Sequence, residues 1–230
     1  MDLRSGGRQS QQDQGIGRDM NVIQVPTVDG VRHKTSWRLE KRWGDIDAYI
    51  EEHLPKDLRT FRALGMVARS SEEQTRLAME LRSHEEMLSG QFHAEVAPYE
   101  VIEIEGNLLV TVGIDIMFDL FIGGGGTVFS NANAHLGVGD SSTAEAVGQT
   151  DLQASSNKLR KAMNGSYPSI ASPVITFQST FGSSEANFTW AEVGTFNAAS
   201  AGTMFNRKVQ SLGTKSSGAT WTLTEDITFS

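Results

Sequence analysis

From Trp221 to Phe229 the chain alternates: Trp221, Leu223, Ile227 and Phe229 fall on one side, Thr222, Thr224, Asp226 and Thr228 on the other. A period of two is the side-chain period of a strand, and an apolar face opposite a polar one describes a sheet with one side buried and one wet. The pattern recurs upstream between Gly, Ser and Asn turns. Val174 to Phe181 aligns Ile175, Phe177 and Phe181; Ala186 to Val193 aligns Phe188 and Trp190; Met204 to Val209 aligns Phe205 and Val209. Tyr99 to Ile104 and Ala134 to Val138 read as shorter strands. Short strands at regular spacing, with turns between them, predict an antiparallel β-sandwich.

One helix is expected inside it. Leu108 to Ile122 is nearly all apolar, broken only by Thr111, Gly113, Asp115 and Asp119. Asp115 and Asp119 are four apart and share one helical face, which leaves Ile114, Met117, Phe118, Phe121 and Ile122 to bury. The segment is too short and too charged to span a bilayer. It therefore reads as a central core helix, with Ile114, Phe118, Phe121 and Ile122 in the core. Gly123 to Gly126 end it, since glycine takes the left-handed backbone of a helix C-terminus without strain.

Charge marks the main boundary. Residues 1–105 hold 33 of the chain's charged side chains and residues 106–230 only 15. The first part carries helical signals. Asp45 is placed to cap a helix with Ile46, Tyr49, Ile50 and Leu54 at helical spacing. Pro55 fits the start of a second, with Leu58, Phe61 and Leu64, stopping at Gly65. Ser70 or Ser71 caps a third, with Glu72 and Glu73 in its first turn, a stripe of Leu77, Leu81, His84 and Leu88, and a stop at Gly90. Three helices with such thin stripes need another surface to pack on.

Ahead of them, Met1 to about Met20 lacks apolar periodicity, and Val22, Ile23, Val25 and Pro26 follow as an extended apolar strip with no local core. The strip is either part of a floppy tail or an arm that lies on a partner subunit. The expected fold is thus α+β, mainly β: a jelly-roll-like antiparallel sandwich with one central helix. Its parts are an extended N-terminal arm at 1–35, a charged helical segment at 36–98 and the sandwich at 99–230.

Several function classes are disfavoured. A formal net charge of −8 argues against a general nucleic-acid binder, and zero cysteines exclude disulfides and thiolate metal sites. The N-terminus lacks a secretory signal pattern. The glycines at 123–126 follow a helix and lack the Lys-Ser/Thr of a phosphate-binding loop. His33, His53, His84, His93 and His135 include no HxxxH or HExxH pair, so neither metal nor cofactor is expected. Asn164 and Asn187 begin glycosylation-type triplets that mean little without a secretion signal. Asp140 is a calcium-ligand candidate, but Gly-Asp-Ser-Ser more commonly forms an Asx turn. Two charges interrupt apolar faces: Glu192 beside Phe188 and Trp190, and Arg207 beside Phe205 and Val209. They are expected to pair across the sheets, with Glu225 as an alternative partner. No second carboxylate or histidine lies at a spacing that suggests catalysis, so no catalytic residues are assigned.

Gly137-Val138-Gly139-Asp140, Gln149-Thr150-Asp151-Leu152, Trp190-Ala191-Glu192-Val193-Gly194, Arg207 and the closing Trp221–Phe229 strand occur in a fixed order. Together they resemble a β-sandwich module of tailed-bacteriophage virion proteins, similar to the attachment region of tail-fibre proteins, over roughly residues 100–230. The resemblance implies a non-enzymatic virion component that binds other capsid, connector or tail subunits and forms a homo-oligomer, a trimer being favoured. The chain has no long shaft or receptor-binding tip, which favours a small capsid-associated or connector protein. The alternatives are a tail-fibre or baseplate attachment protein, or a carbohydrate-binding or carbohydrate-cleaving sandwich using exposed aromatics, of which Trp37 and Trp43 are the candidates.

Overall fold

The computed structural model describes residues 33–64 and 71–229. The arm residues Val22, Ile23, Val25 and Pro26 lie outside the described residues, as do Gly65 and Ser70. Among the described residues, one sheet contains β1 (His33–Trp43), β2 (Glu100–Glu105), β6 (Ser169–Ala171), β7 (Val174–Phe181) and β10 (Ala219–Phe229). The other contains β3 (Leu108–Leu109), β4 (His135–Gly139), β5 (Lys158–Ala162), β8 (Thr189–Phe196) and β9 (Met204–Thr214). Strand orders are β2-β1-β10-β7-β6 and β3-β9-β8-β4-β5, and every pairing is antiparallel.

The two sheets enclose one core. Trp37, Leu39, Phe181, Trp221 and Leu223 enter from the first sheet, and Leu136, Val138, Trp190 and Val193 from the second; all are fully buried. The Trp190 ring meets Phe181 and Trp221 edge-on, with centroids 4.7 and 4.8 Å away. Such pairs add about 0.5–1.5 kcal/mol each beyond the area they bury.

Strand β1 corrects the expected boundaries. Residues 36–43 belong to the sandwich rather than to a helical segment, and His33 to Thr35 are already paired strand rather than arm. β1 lies inside its sheet, pairing with β10 from His33↔Phe229 to Trp43↔Ala219 and with β2 on its other edge. Its buried face is Thr35, Trp37, Leu39 and Lys41, so only two of four positions are apolar and the period is faint. The Lys41 ammonium reaches Glu100 at 2.8 Å and lies 4.5 Å from the centre of the Trp221 ring, so its stem is buried while its charge is paired. Trp37 is therefore core, whereas Trp43 is 59% exposed.

Between β1 and β2 stand α1 (Ile46–His53), α2 (Lys56–Leu64) and α3 (Ser71–Glu95). Asp45 Oδ1 caps α1, accepting from the amides of Asp47 and Ala48. The three helices bury a small core of their own, including Ile50, Leu58, Phe61, Leu77 and Phe92. α3 does not stop at Gly90 but runs on to Glu95. Mid-helix glycine costs about 1 kcal/mol, whereas burying the Phe92 ring, 5.6 Å edge-on from Tyr49, is worth about 2. The end of α3 lies on the first sheet, where His93 Nε2 is 2.9 Å from Thr222 Oγ1. Thr222, expected on the wet face, is covered for that reason.

The largest correction concerns α4 (Thr111–Ile122), which is a surface helix and not the centre of the core. Phe118, Phe121 and Ile122 are 58%, 89% and 77% exposed, and Ile114 is half-buried. The packed side is instead Gly113 and Ile116, flanked by partly buried Met117 and Leu120. Gly113 decides this. A Cβ there would lie 2.2 Å from the Phe205 carbonyl oxygen, so only glycine lets the helix lie against β9. The helix carries two apolar stripes, and the one bearing the glycine is the one that packs. Gly123 closes the helix in the left-handed region, φ 72°, as its sequence suggests.

Candidate functional site

Glu192 and Arg207 lie 2.7 Å apart, Oε2 to Nε, with both side chains wholly buried. They do not sit on the faces that alternation assigns. The β8–β9 register shifts between Trp190 and Glu192, and again between Thr195 and Phe196. β9 carries two extra residues at the first shift and one, Phe205, at the second, and such irregularities change which side chains face the core. Trp190 stays inside, whereas Glu192 and Arg207 turn to the outer face of the second sheet, under the loop at 140–157.

There they clamp the loop. Glu192 accepts from the Gln153 amide at 2.9 Å and the Ala154 amide at 2.7 Å. Arg207 donates to Gln149 Oε1 at 3.0 Å and to the Thr143 carbonyl at 2.9 Å. Asp151 takes Lys158 and Arg160, each at 2.8 Å. Leu152 packs with Phe196, Val110 and Met204 in a satellite core. Gly139 makes room for the carboxylate, since a Cβ there would lie 2.4 Å from Glu192 Oε1; one at Gly137 would meet the Phe196 ring at 2.6 Å. The residues of the Gly-Val-Gly-Asp and Gln-Thr-Asp-Leu motifs are thus parts of one structural clamp. Asp140 bonds Asn157 Nδ2 at 2.7 Å, and it is Ser141 Oγ that accepts the Thr143 amide, so the expected Asx turn at Asp140 is absent.

Glu225 is not part of this pair. It points between the sheets, fully buried, and accepts from Thr195 Oγ1, Asn206 Nδ2 and, at 3.4 Å, Asn107 Nδ2. No cation faces it. Burial raises its carboxyl to about pH 7, against the opposing pull of its three hydrogen-bond donors.

Two concave surfaces stand out among the described residues. A polar cleft of about 800 Å³ lies between α3 and the first sheet, and several of its charges pair within it or at its rim, including Lys161 with Glu185 and Arg82 with Glu86. The second is an apolar groove of about 570 Å³ at one end of the sandwich. Met117 and Leu120 of α4 form one wall, with Phe129, Phe177, Phe205 and Phe229 below and Ile170 on the far rim. Ile170 is 78% exposed, and the bare Phe118, Phe121 and Ile122 continue the apolar surface beyond α4. Sequence reading misses this groove because one helix, two loop segments and four strands supply its wall, with no local signature in any of them.

Among the described residues no group of three His, Asp or Glu side chains is placed to hold a metal ion, and no helix is long and apolar enough to cross a membrane. No protein-family model, curated protein or solved structure matches the chain.

Proposed function

We propose that this chain is a non-enzymatic structural component of a tailed-phage particle. It would be a small capsid-associated or connector protein whose jelly-roll-like sandwich docks on neighbouring subunits. The observation that carries the reading is the bare apolar strip of α4, with Phe118, Phe121 and Ile122 each more than half exposed beside an open apolar groove. Large contiguous apolar patches on soluble proteins mark protein contacts. The virion context comes from the motif order over residues 100–230. The clamp supports a structural reading as well, because Glu192 and Arg207 use their hydrogen-bonding capacity on the fold itself. In this reading residues 1–32, with Val22, Ile23, Val25 and Pro26, tie one subunit to the next.

A carbohydrate-binding reading would rest on the exposed Trp43, at the end of β1, and Tyr99, just before β2. Their rings stack on each other at 4.8 Å, so each covers a face that a sugar would use. The deciding experiment is cryo-EM and mass spectrometry of particles assembled with the wild-type chain or with Phe121→Asp. The expected result is a stoichiometric density that the variant loses. Particles that never contain the chain would overturn the reading.

A further inference from the structure

We infer that the apolar groove receives α4 of a second copy of this chain, with Phe121 of one molecule seated against Met117, Leu120 and Ile170 of the next. The inference rests on the reading of α4 as a docking surface and names its partner. One short helix carries both halves of the contact. Met117 and Leu120 wall the groove, while Phe118, Phe121 and Ile122 project from the same helix into solvent. Phe121 is 89% exposed, so it does not fill the groove of its own molecule. The single molecule therefore presents an unfilled hole and an uncovered knob side by side.

Size and chemistry match. A cavity of roughly 150 Å³ is enough for a benzene ring, and this groove, at about 570 Å³, has room for the Phe121 ring and the Ile122 side chain together. The knob is hydrocarbon and the groove mostly so: Ser130 and Asn131 also line it, and the Asn131 amide is already bonded to Arg82 and to the Asn164 and Tyr167 carbonyls. In a reciprocal pair, where knob and groove of each copy share one interface, Phe118, Phe121, Ile122, Val128 and Ile170 bring on the order of 600 Å² of bare side chain, close to the roughly 800 Å² that each partner brings to a standard interface. Asp115 and Asp119 stay at the edge of the strip, where a polar rim belongs. A knob and a hole that differ, both carried by every copy, build a ring, an open filament or a reciprocal pair without any other protein.

The test is light scattering on the full chain after size exclusion. Wild type should be an oligomer. Phe121→Asp and Ile170→Asp alter opposite sides of the contact at exposed positions, and each should weaken association roughly tenfold or more while leaving circular dichroism unchanged. The chain contains no cysteine, so a Phe121→Cys, Ile170→Cys double variant should form a disulfide only between copies, visible on a non-reducing gel. Val25→Asp should leave this oligomer intact, because the neighbours that the N-terminal segment ties together in the proposed function meet only in the assembled particle. A monomeric wild type, or an oligomer that survives both aspartates, overturns the inference. So does an oligomer that Val25→Asp dissolves and Phe121→Asp does not, since the N-terminal segment would then be the occupant. A monomer whose Phe121→Asp variant fails to enter particles removes the second copy and keeps the virion role. An oligomer that both aspartates dissolve, found in no particle, keeps the contact and removes the virion role.

Discussion

Replacing Glu225 with glutamine tests whether a carboxyl sealed between two sheets makes this fold most stable in mild acid. The ordinary carboxyl titrates near 4.5, and burial raises this one to about 7. Below 4.5 the folded and unfolded chains are both protonated here. Between 4.5 and about 7 the folded chain holds a proton that the unfolded chain has released, so stability falls as pH rises through that window. Above about 7 both states are ionised and the loss is complete. At about 1.4 kcal/mol per pH unit, the window corresponds to on the order of 3 kcal/mol. Glutamine keeps the shape and never ionises. Its amide oxygen can accept from Asn206 and Asn107, while its NH2 donates to the Thr195 hydroxyl. Urea midpoints for both proteins should be recorded from pH 4.5 to 8.5. The stability difference between them isolates this one group, because every other titrating side chain is common to both. Glu225→Gln should match wild type near pH 4.5 and exceed it by on the order of 3 kcal/mol at pH 8. A difference that stays constant across the range would refute the reasoning and mean that the carboxylate is well solvated or paired in the folded protein.

Arg207→Ala would leave the Glu192 carboxylate buried without its cation and should cost about 3–5 kcal/mol, with faster amide exchange across residues 143–154; an unchanged melting temperature would contradict the clamp. Gly139→Ala forces a Cβ toward Glu192 Oε1 and should cost on the order of 1–3 kcal/mol in urea unfolding, so a neutral result would show a carboxylate free to move aside. Phe121→Ala, measured in the Ile170→Asp background so that association does not contribute, should change folding stability by less than about 0.5 kcal/mol. Phe181→Ala in the same background should cost about 3–5 kcal/mol, and a large loss from Phe121→Ala would put α4 back in the core.

Much of the sandwich is legible in the chain because strand alternation is a local signal. β7 and β10 follow from side chains that take turns facing oil and water, and Asp45 announces α1 because a cap acts within one helical turn. Tertiary structure decides where that signal is diluted or reversed. β1 hides because its buried face includes Thr35 and Lys41, and Lys41 is tolerable there only because Glu100 and the Trp221 ring arrive from distant parts of the chain. Glu192 and Arg207 are recognisable as a pair from their chemistry, yet the two bulges that turn them to the outer face depend on how β8 and β9 register against each other. In α4, hydrophobicity alone cannot choose between two apolar stripes. The choice falls to Gly113 against the Phe205 carbonyl, a contact between residues far apart in sequence, and its consequence is that Phe118, Phe121 and Ile122 face outward. The groove beside them exists only once both sheets close, because no single segment carries enough of its wall to betray it.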